Sequence, residues 1–471
     1  MPEYDAIVVG SGPNGLSAGI TLAQAGAKVL IVEAKDSIGG GTRTAELTFP
    51  DFHHDICSAI HPLALASPFF KNLDLEKFGL EWVHPDAPVA HPLDNGDAVI
   101  VDRDIEKTAQ ALGADVDIYR HLMTALSDNT DKLLNDFLAP LKIPRYPLHF
   151  GLFGLGAILP ASLLSKIAFK DERTRAMFAG MAAHSIQALE SPATGAFGLL
   201  LLMLAHNVGW AMAKGGSHEI SKAMARYFES LGGTIQTNFE VTSLVDLPPA
   251  NKILFDLTPH QIVKIAGDAL PDNYRQRLLN YRYGAGVFKI DYALSEPIPW
   301  QNPDVARAGT VHLGGTLKEI AFSERLCTQG IHTEKPYVLV AQHSLFDETR
   351  APEGKHTLWA YCHVPHGSTR DMTEQIENQL ERYAPNFQDV VLAQHTMNTV
   401  EMSSYNANYI GGDINGGVQD LRQLFTRPVA RLSPYTTPNK KLYICSSSTP
   451  PGGGVHGMCG YYAAKEVLKT I

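Results

Sequence analysis

Residues 6–33 read AIVVGSGPNGLSAGITLAQAGAKVLIVE. The run Ala6–Val9 is apolar without alternation, the pattern of a strand covered on both faces. Gly10-Ser-Gly12-Pro13-Asn14-Gly15 follows, then a small-residue helix predicted over Leu16–Ala25 that stops at Gly26. Val29–Val32 is the next buried strand, and Glu33 and Ala34 stand at its end. Strand, glycine turn, helix and strand together make the parallel crossover that binds dinucleotides. Gly10 permits the tight turn, Gly12 lets the backbone approach a pyrophosphate, and Gly15 lets the helix pack closely on the strand. The helix start offers unpaired N–H groups to phosphate. Glu33 is spaced to accept hydrogen bonds from a ribose, and an acid there argues against a 2′-phosphate. A GxGxxG alone is a weak signal; the flanking strands, the helix and the acid make this one specific.

Two further glycine clusters extend the pattern. Ser37-Ile-Gly39-Gly40-Gly41-Thr42-Arg43 is a second turn just after the second strand, where backbone N–H groups and a guanidinium can meet phosphate or the far end of a dinucleotide. This turn favours FAD over NAD. The loop Ser446–Gly460 carries Gly452, Gly454, Val455, His456 and Gly457 and runs into a final helix predicted over Gly460–Lys469. The chain ends too soon for a second dinucleotide fold. The loop can instead aim a helix N-terminus at the pyrimidine end of a flavin.

Between these clusters, Lys214–Ser217 leads into a helix with one apolar face, followed by strands predicted at Thr234–Thr237, Val241–Val245 and Ile253–Leu257. Residues 76–205 read as mostly helical, 280–365 as antiparallel strands, and Asp371–Tyr383 as an amphipathic helix. The expected fold is α/β. A Rossmann-like FAD domain with a parallel sheet is assembled from residues 1–75, 206–265 and 425–471, and residues 76–205 and 266–424 form an inserted α+β substrate domain.

The chain has 471 residues, with 39 Lys and Arg against 49 Asp and Glu and a net charge of −10, which argues against nucleic acid as a partner. Five cysteines without a CxxC pair signal neither zinc nor a redox dithiol. The N-terminus enters a strand without a basic or apolar leader, so a cytoplasmic protein is expected. The apolar stretches Phe150–Ser165 and Ala196–Ala205 are too broken or too short to span a bilayer. They are expected to pack inside the inserted domain, to wall a tunnel for a hydrophobic substrate, or to touch a membrane peripherally.

Three segments carry a family resemblance: residues 8–34, 209–233 (GWAMAKGGSHEISKAMARYFESLGG) and 442–464 (LYICSSSTPPGGGVHGMCGYYAA). With the spacing between them, the chain resembles the phytoene desaturase-like branch of the FAD-dependent amine oxidase and carotenoid desaturase superfamily. Within that branch it is most similar to the group of pyridine nucleotide-disulfide oxidoreductase domain-containing protein 2. The resemblance implies FAD held by Gly10, Gly12, Gly15, Glu33, Gly39, Gly40 and Arg43, with Val241 on the adenine side and Thr449–Gly460 at the flavin. Two departures leave the substrate open: Gly41-Thr42 separate Arg43 from the glycine pair, and Cys445-Ser446 stand where amine oxidases carry an acid.

The activity implied is removal of a hydride from a substrate C–H bond to flavin N5, forming a double bond in an apolar or isoprenoid-like molecule, with oxygen or a quinone as electron acceptor. An amine or amino-acid oxidase and a redox-neutral flavin isomerase are alternatives on the same fold. A non-catalytic protein of the Rab GDP-dissociation-inhibitor type would not need the phosphate turn, Glu33 and the C-terminal loop together. His456 is the candidate acid–base group. His61, Tyr405 and Tyr409 are candidates for the substrate cavity. His53, His54 and Asp55 read as hydrogen-bonding loop residues, and no metal site is expected.

Overall fold

The computed structural model describes residues 2–470. The strands of its two large sheets are β1 (Tyr4–Val9), β2 (Val29–Val32), β3 (Ala87–Pro92), β4 (Ala98–Val101), β5 (Thr234–Gln236), β6 (Ala250–Phe255), β7 (Gly286–Leu294), β8 (Ala308–Leu313), β9 (Val338–Ala341), β10 (His356–Val364), β11 (Val391–Met397) and β12 (Leu442–Ile444). The helices used below are α1 (Pro13–Gln24), α2 (Pro147–Ala157), α3 (Ala161–Ala168), α4 (Glu172–Ala183), α5 (Thr194–Asn207), α6 (His218–Ser230), α7 (Thr373–Tyr383) and α8 (Met458–Val467).

A five-stranded parallel sheet has the order β12-β6-β1-β2-β5, so chain from the N-terminus, the middle and the C-terminus meets in one layer. All four residues of β2 are buried, as an apolar run without alternation requires. Helix α1 starts at Pro13, three residues earlier than its apolar pattern suggests. Proline at the first helical position gives up no hydrogen bond there and presets the backbone angle. The small residues of α1 are explained by two neighbours. A Cβ on Gly19 would stand 2.7 Å from Ile31, and one on Gly460 would stand 1.8 Å from the Asn14 carbonyl. The C-terminal helix therefore packs backbone to backbone on the start of α1.

The second sheet, β11-β7-β10-β9-β8-β3-β4, is antiparallel except where β8 runs parallel to β3. One face packs on α7 through Ile376, Leu380 and Tyr383; the other looks toward α4, α5 and the parallel sheet. Three expectations change. Within 280–365, expected as antiparallel strands, Leu317–Thr328 form a helix capped reciprocally by Thr316 and Glu319. Residues 87–101, expected to be helical, contribute β3 and β4 to this sheet. Val241–Val245 is no strand but leads into a short turn at Leu244–Asp246, capped reciprocally by Ser243 and Asp246. Local side-chain capping outweighs β-propensity there.

Candidate functional site: a dinucleotide cradle opening into an apolar cavity

A cavity of about 460 Å³ runs from the turn after β1 to the C-terminal loop. Gly10, Gly12, Pro13, Asn14, Glu33, Ala34, Gly40, Gly41, Arg43, Val241, Gly454, Val455 and His456 all face it. The three glycine clusters, far apart in sequence, thus border one space. Gly15, Gly39 and Gly457 stand behind its wall. A Cβ on Gly15 would lie 2.0 Å from the Gly10 carbonyl, so Gly15 serves turn packing. Gly39 donates its N–H to the Ser11 carbonyl (3.0 Å). Gly457, at φ +68°, starts α8 and accepts a bond from Ser17 Oγ.

Glu33 accepts from Ser11 N (3.0 Å), Ser11 Oγ (2.6 Å) and Lys35 N (3.0 Å), which fixes its carboxylate at the end of β2. Arg43 reaches back to Glu33 (3.2 Å) and to the Ser37 carbonyl (2.7 Å), so its guanidinium organises the second turn. Tyr405 lies against Arg43, whose Cζ is 5.6 Å from the ring centre, and donates its hydroxyl to the Gly40 carbonyl (2.6 Å). Tyr409 crowds Gly41, where a Cβ would stand 2.2 Å from its hydroxyl oxygen. Asn14 Oδ1 is buried in this cradle with no partner. An unpaired buried acceptor beside bare glycine backbone fits a bound ligand that donates hydrogen bonds and displays phosphates. A diphosphate-bridged dinucleotide is such a ligand.

Asp256 was not foreseen. It follows β6 directly and accepts the Gly15 N–H at 2.9 Å, so a carboxylate occupies the positive end of α1. Burial and the charge of Glu33 push this carboxyl up to about 7. The available signal was an acid just past an apolar strand, at the sheet edge where parallel folds bind ligands.

His61 and His456 differ in what they leave free. Met458 N–H donates to His456 Nδ1 (3.0 Å), so Nε2 carries the proton and donates to the Gly452 carbonyl (3.2 Å). That ring is committed to its own loop, and burial lowers it to about 4. No lone pair remains for the general-base role expected of it. Ser217 Oγ donates to the Ser58 carbonyl (2.7 Å) and so accepts from His61 Nε2 (2.8 Å). His61 Nδ1 is then a lone-pair acceptor without a partner, on a ring that burial lowers to about 4.

Beyond the cradle the walls become apolar and aromatic, with Phe137, Leu138, Phe197, Leu200, Trp359 and Tyr361. Behind Trp359 sits a buried charged junction that sequence reading also missed. Lys289 and Asp291 alternate on β7, face the same way and pair with each other. Burial lowers the lysine and raises the aspartate to about 6, so both are pushed toward their neutral forms. Lys289 Nζ is 5.8 Å from the Trp359 ring centre. Asp55 accepts from Thr44 Oγ1 (2.6 Å), Ser217 N (2.8 Å) and Arg350 (2.8 Å). Burial alone would raise its carboxyl, but Arg350 and its other donors hold it well below the usual range. His54 stands 3.7 Å from Asp291, while His53 is only partly buried on the same short strand, His53–Asp55. Among the described residues, no group of three or more His, Cys, Asp or Glu is arranged to hold a metal.

Comparison with known proteins agrees with this geometry. The family described as "NAD(P)-binding Rossmann-like domain" matches residues 8–72. Mouse (Mus musculus) pyridine nucleotide-disulfide oxidoreductase domain-containing protein 2 is 27% identical over 100% of this chain and 94% of its own length. The chain is homologous to it end to end. A limonene dehydrogenase polypeptide of Castellaniella defragrans is 26% identical over 100% of this chain and 95% of its own. Among solved structures, putrescine oxidase bound to putrescine superposes with a TM-score of 0.64 at 17% identity, covering 99% of both chains. The fold is that of amine oxidase-type flavoenzymes, and the relatives make the chain an oxidoreductase homologue. The words "disulfide oxidoreductase" have no counterpart in the site: all five cysteines are buried and free.

Proposed function

We propose that the protein is an FAD-dependent dehydrogenase acting on a C–H bond of an apolar, isoprenoid-like substrate. The observation that carries this reading is the single cavity, bordered by three glycine clusters at one end and by aromatic and aliphatic side chains at the other. The relative named for limonene supports the same substrate class. When bound, FAD supplies a two-electron acceptor for the hydride.

The chain's own residues bind and orient. Gly10 and Gly12 would hold the diphosphate region, Asn14 Oδ1 would accept from a donor group of the cofactor, Glu33 would hold the ribose and Val241 the adenine side. Gly40–Arg43 and Gly453–His456 would border the flavin. Phe197, Leu200, Trp359 and Tyr361 exclude water from the substrate and hold it by apolar contact. Forming a double bond also requires loss of a proton from the neighbouring carbon. His61, neutral and with Nδ1 unpaired, is the cavity histidine suited to take it. Oxygen or a quinone would then reoxidise the cofactor.

The test is to purify the protein, supply FAD and then titrate it anaerobically with a cyclic monoterpene, a longer isoprenoid hydrocarbon and a primary amine. Bleaching of the flavin band by an isoprenoid and not by the amine is expected. Bleaching by the amine alone would replace this reading with the amine-oxidase one.

A further inference from the structure

One surface does not fit a protein that is polar on its outside. Helices α2 and α3 are bent by 99° about Pro160, and with the preceding loop they leave large apolar side chains in water. Ile143 is 90% exposed, Leu148 72%, Leu152 64%, Leu155 71%, Ile158 57% and Ile167 68%. Leu148, Leu152 and Leu155 lie at i, i+4 and i+7 and form one outward stripe on α2. A contiguous exposed apolar patch of this kind marks an interaction site.

Its charge says what covers it. Between Phe137 and Lys170 the sequence carries Lys142, Arg145, Lys166 and Lys170 and not one acid, in a chain whose net charge is −10. All four are exposed. Of these, Lys142 leans on a buried acid outside the segment, Asp136, at 3.9 Å. An apolar stripe flanked by basic side chains on long stems fits a bilayer with anionic headgroups: the leucines enter the acyl boundary and the cations stay at the phosphates. A second copy of this chain would bring the same four cations onto themselves. Bent by 99°, the pair makes no straight span, and its outward stripe suits docking in the plane of the interface.

The patch also joins the cavity. Phe153, on the inner side of α2, packs edge-on against Phe137 at 6.3 Å, and Phe137 and Leu138 line the cavity. Inside α2 lies α5, whose Ala196, Phe197 and Leu200 form the cavity wall. We infer that this face docks the protein on an anionic lipid surface, from which a lipid-dissolved molecule passes to the cavity behind it. The docking stands on exposure and charge alone; the passage rests on the apolar-substrate reading above.

Sedimentation of the full-length protein with vesicles tests the docking. Binding to phosphatidylcholine vesicles containing phosphatidylglycerol, at least tenfold above pure phosphatidylcholine, is the expected result. Leu148→Glu/Leu152→Glu/Leu155→Glu should abolish it. Lys142→Gln/Arg145→Gln/Lys166→Gln/Lys170→Gln should reduce it at least tenfold on the anionic vesicles only. Cofactor content and melting temperature should be unchanged in both variants, because every substituted side chain is exposed. No sedimentation of the unaltered protein at low salt would overturn the proposal. So would equal binding to both vesicle types, or a dimer in solution that the glutamate variant turns into monomer. Flavin content, read in the same samples, reports separately on the proposed function.

Discussion

The cradle at residues 10–43 and the charged junction at Asp55, Lys289, Asp291 and Arg350 are both buried polar constructions, yet they are built in opposite ways. The cradle is made of backbone. Its parts lie within a short stretch, and its glycines are dictated by contacts such as the 2.0 Å that would separate a Gly15 Cβ from the Gly10 carbonyl. The junction is made of side chains drawn from the segment after the second turn, from β7 and from the turn before β10. Asp55 is tolerated only because Arg350, far away in sequence, meets it, while Lys289 and Asp291 meet each other across one residue of β7. Local backbone chemistry leaves a signature that can be read. Long-range charge pairing leaves only isolated polar letters in apolar runs.

Substitutions can break this contrast. Gly15→Val should have the largest effect, since the added side chain must push the turn off β1; loss of the folded, cofactor-retaining protein is expected in an expression and absorbance assay. In the junction, Arg350→Met removes the partner of two buried carboxylates, Asp55 and Asp347. Destabilisation of about 3–5 kcal/mol is expected in urea unfolding. Arg350→Lys should recover only part of that, because it cannot span both acids. A loss under about 1 kcal/mol for the methionine variant would mean that the junction is not a closed charge network.

Smaller effects are expected inside the cavity. His61→Ala should lower turnover by about 10²-fold, with cofactor content and melting temperature nearly unchanged. An equal loss in His456→Ala would be unexpected unless the C-terminal loop itself comes apart, which circular dichroism and flavin content would reveal. Asp256 gives the mildest effect and the clearest pH signature. Its carboxyl is raised to about 7, so the folded protein holds a proton that the unfolded chain releases near pH 4. Stability from this group is therefore fully present below about pH 4 and is lost as pH rises through about 7. A diphosphate beside it would favour the protonated form, so FAD should bind more weakly as pH rises through about 7. Asp256→Asn should flatten that dependence, measured by quenching of FAD fluorescence.

The parts read from sequence and the parts missed follow the same physics. The parallel sheet, the α/β class and the three glycine clusters were legible because glycine spacing and unbroken apolar runs are local statements. The start of α1 at Pro13 is not legible from the apolar pattern, because proline suits a turn as well as the first helical position. The strands at 87–101 lie in a helical neighbourhood, yet they pair with each other as a hairpin around Asn95-Gly96, a local turn signal; only the second partner of β3, the strand β8, lies over two hundred residues away. His456 stood out as a histidine in a glycine loop, but sequence could not show that Gly452 and Met458 already claim both nitrogens. Asp256, Lys289 and Asp291 could have been flagged as charges at the end of, or within, apolar strands. That Asp256 meets the Gly15 N–H, and that Asp291 lies beside His54, could not.

The central claim is that the three glycine clusters hold one flavin. Absorbance of the purified protein tests it most directly, with bands near about 370 and 450 nm expected, either as isolated or after incubation with FAD and removal of the excess. A folded, colourless protein that takes up no FAD would contradict the account.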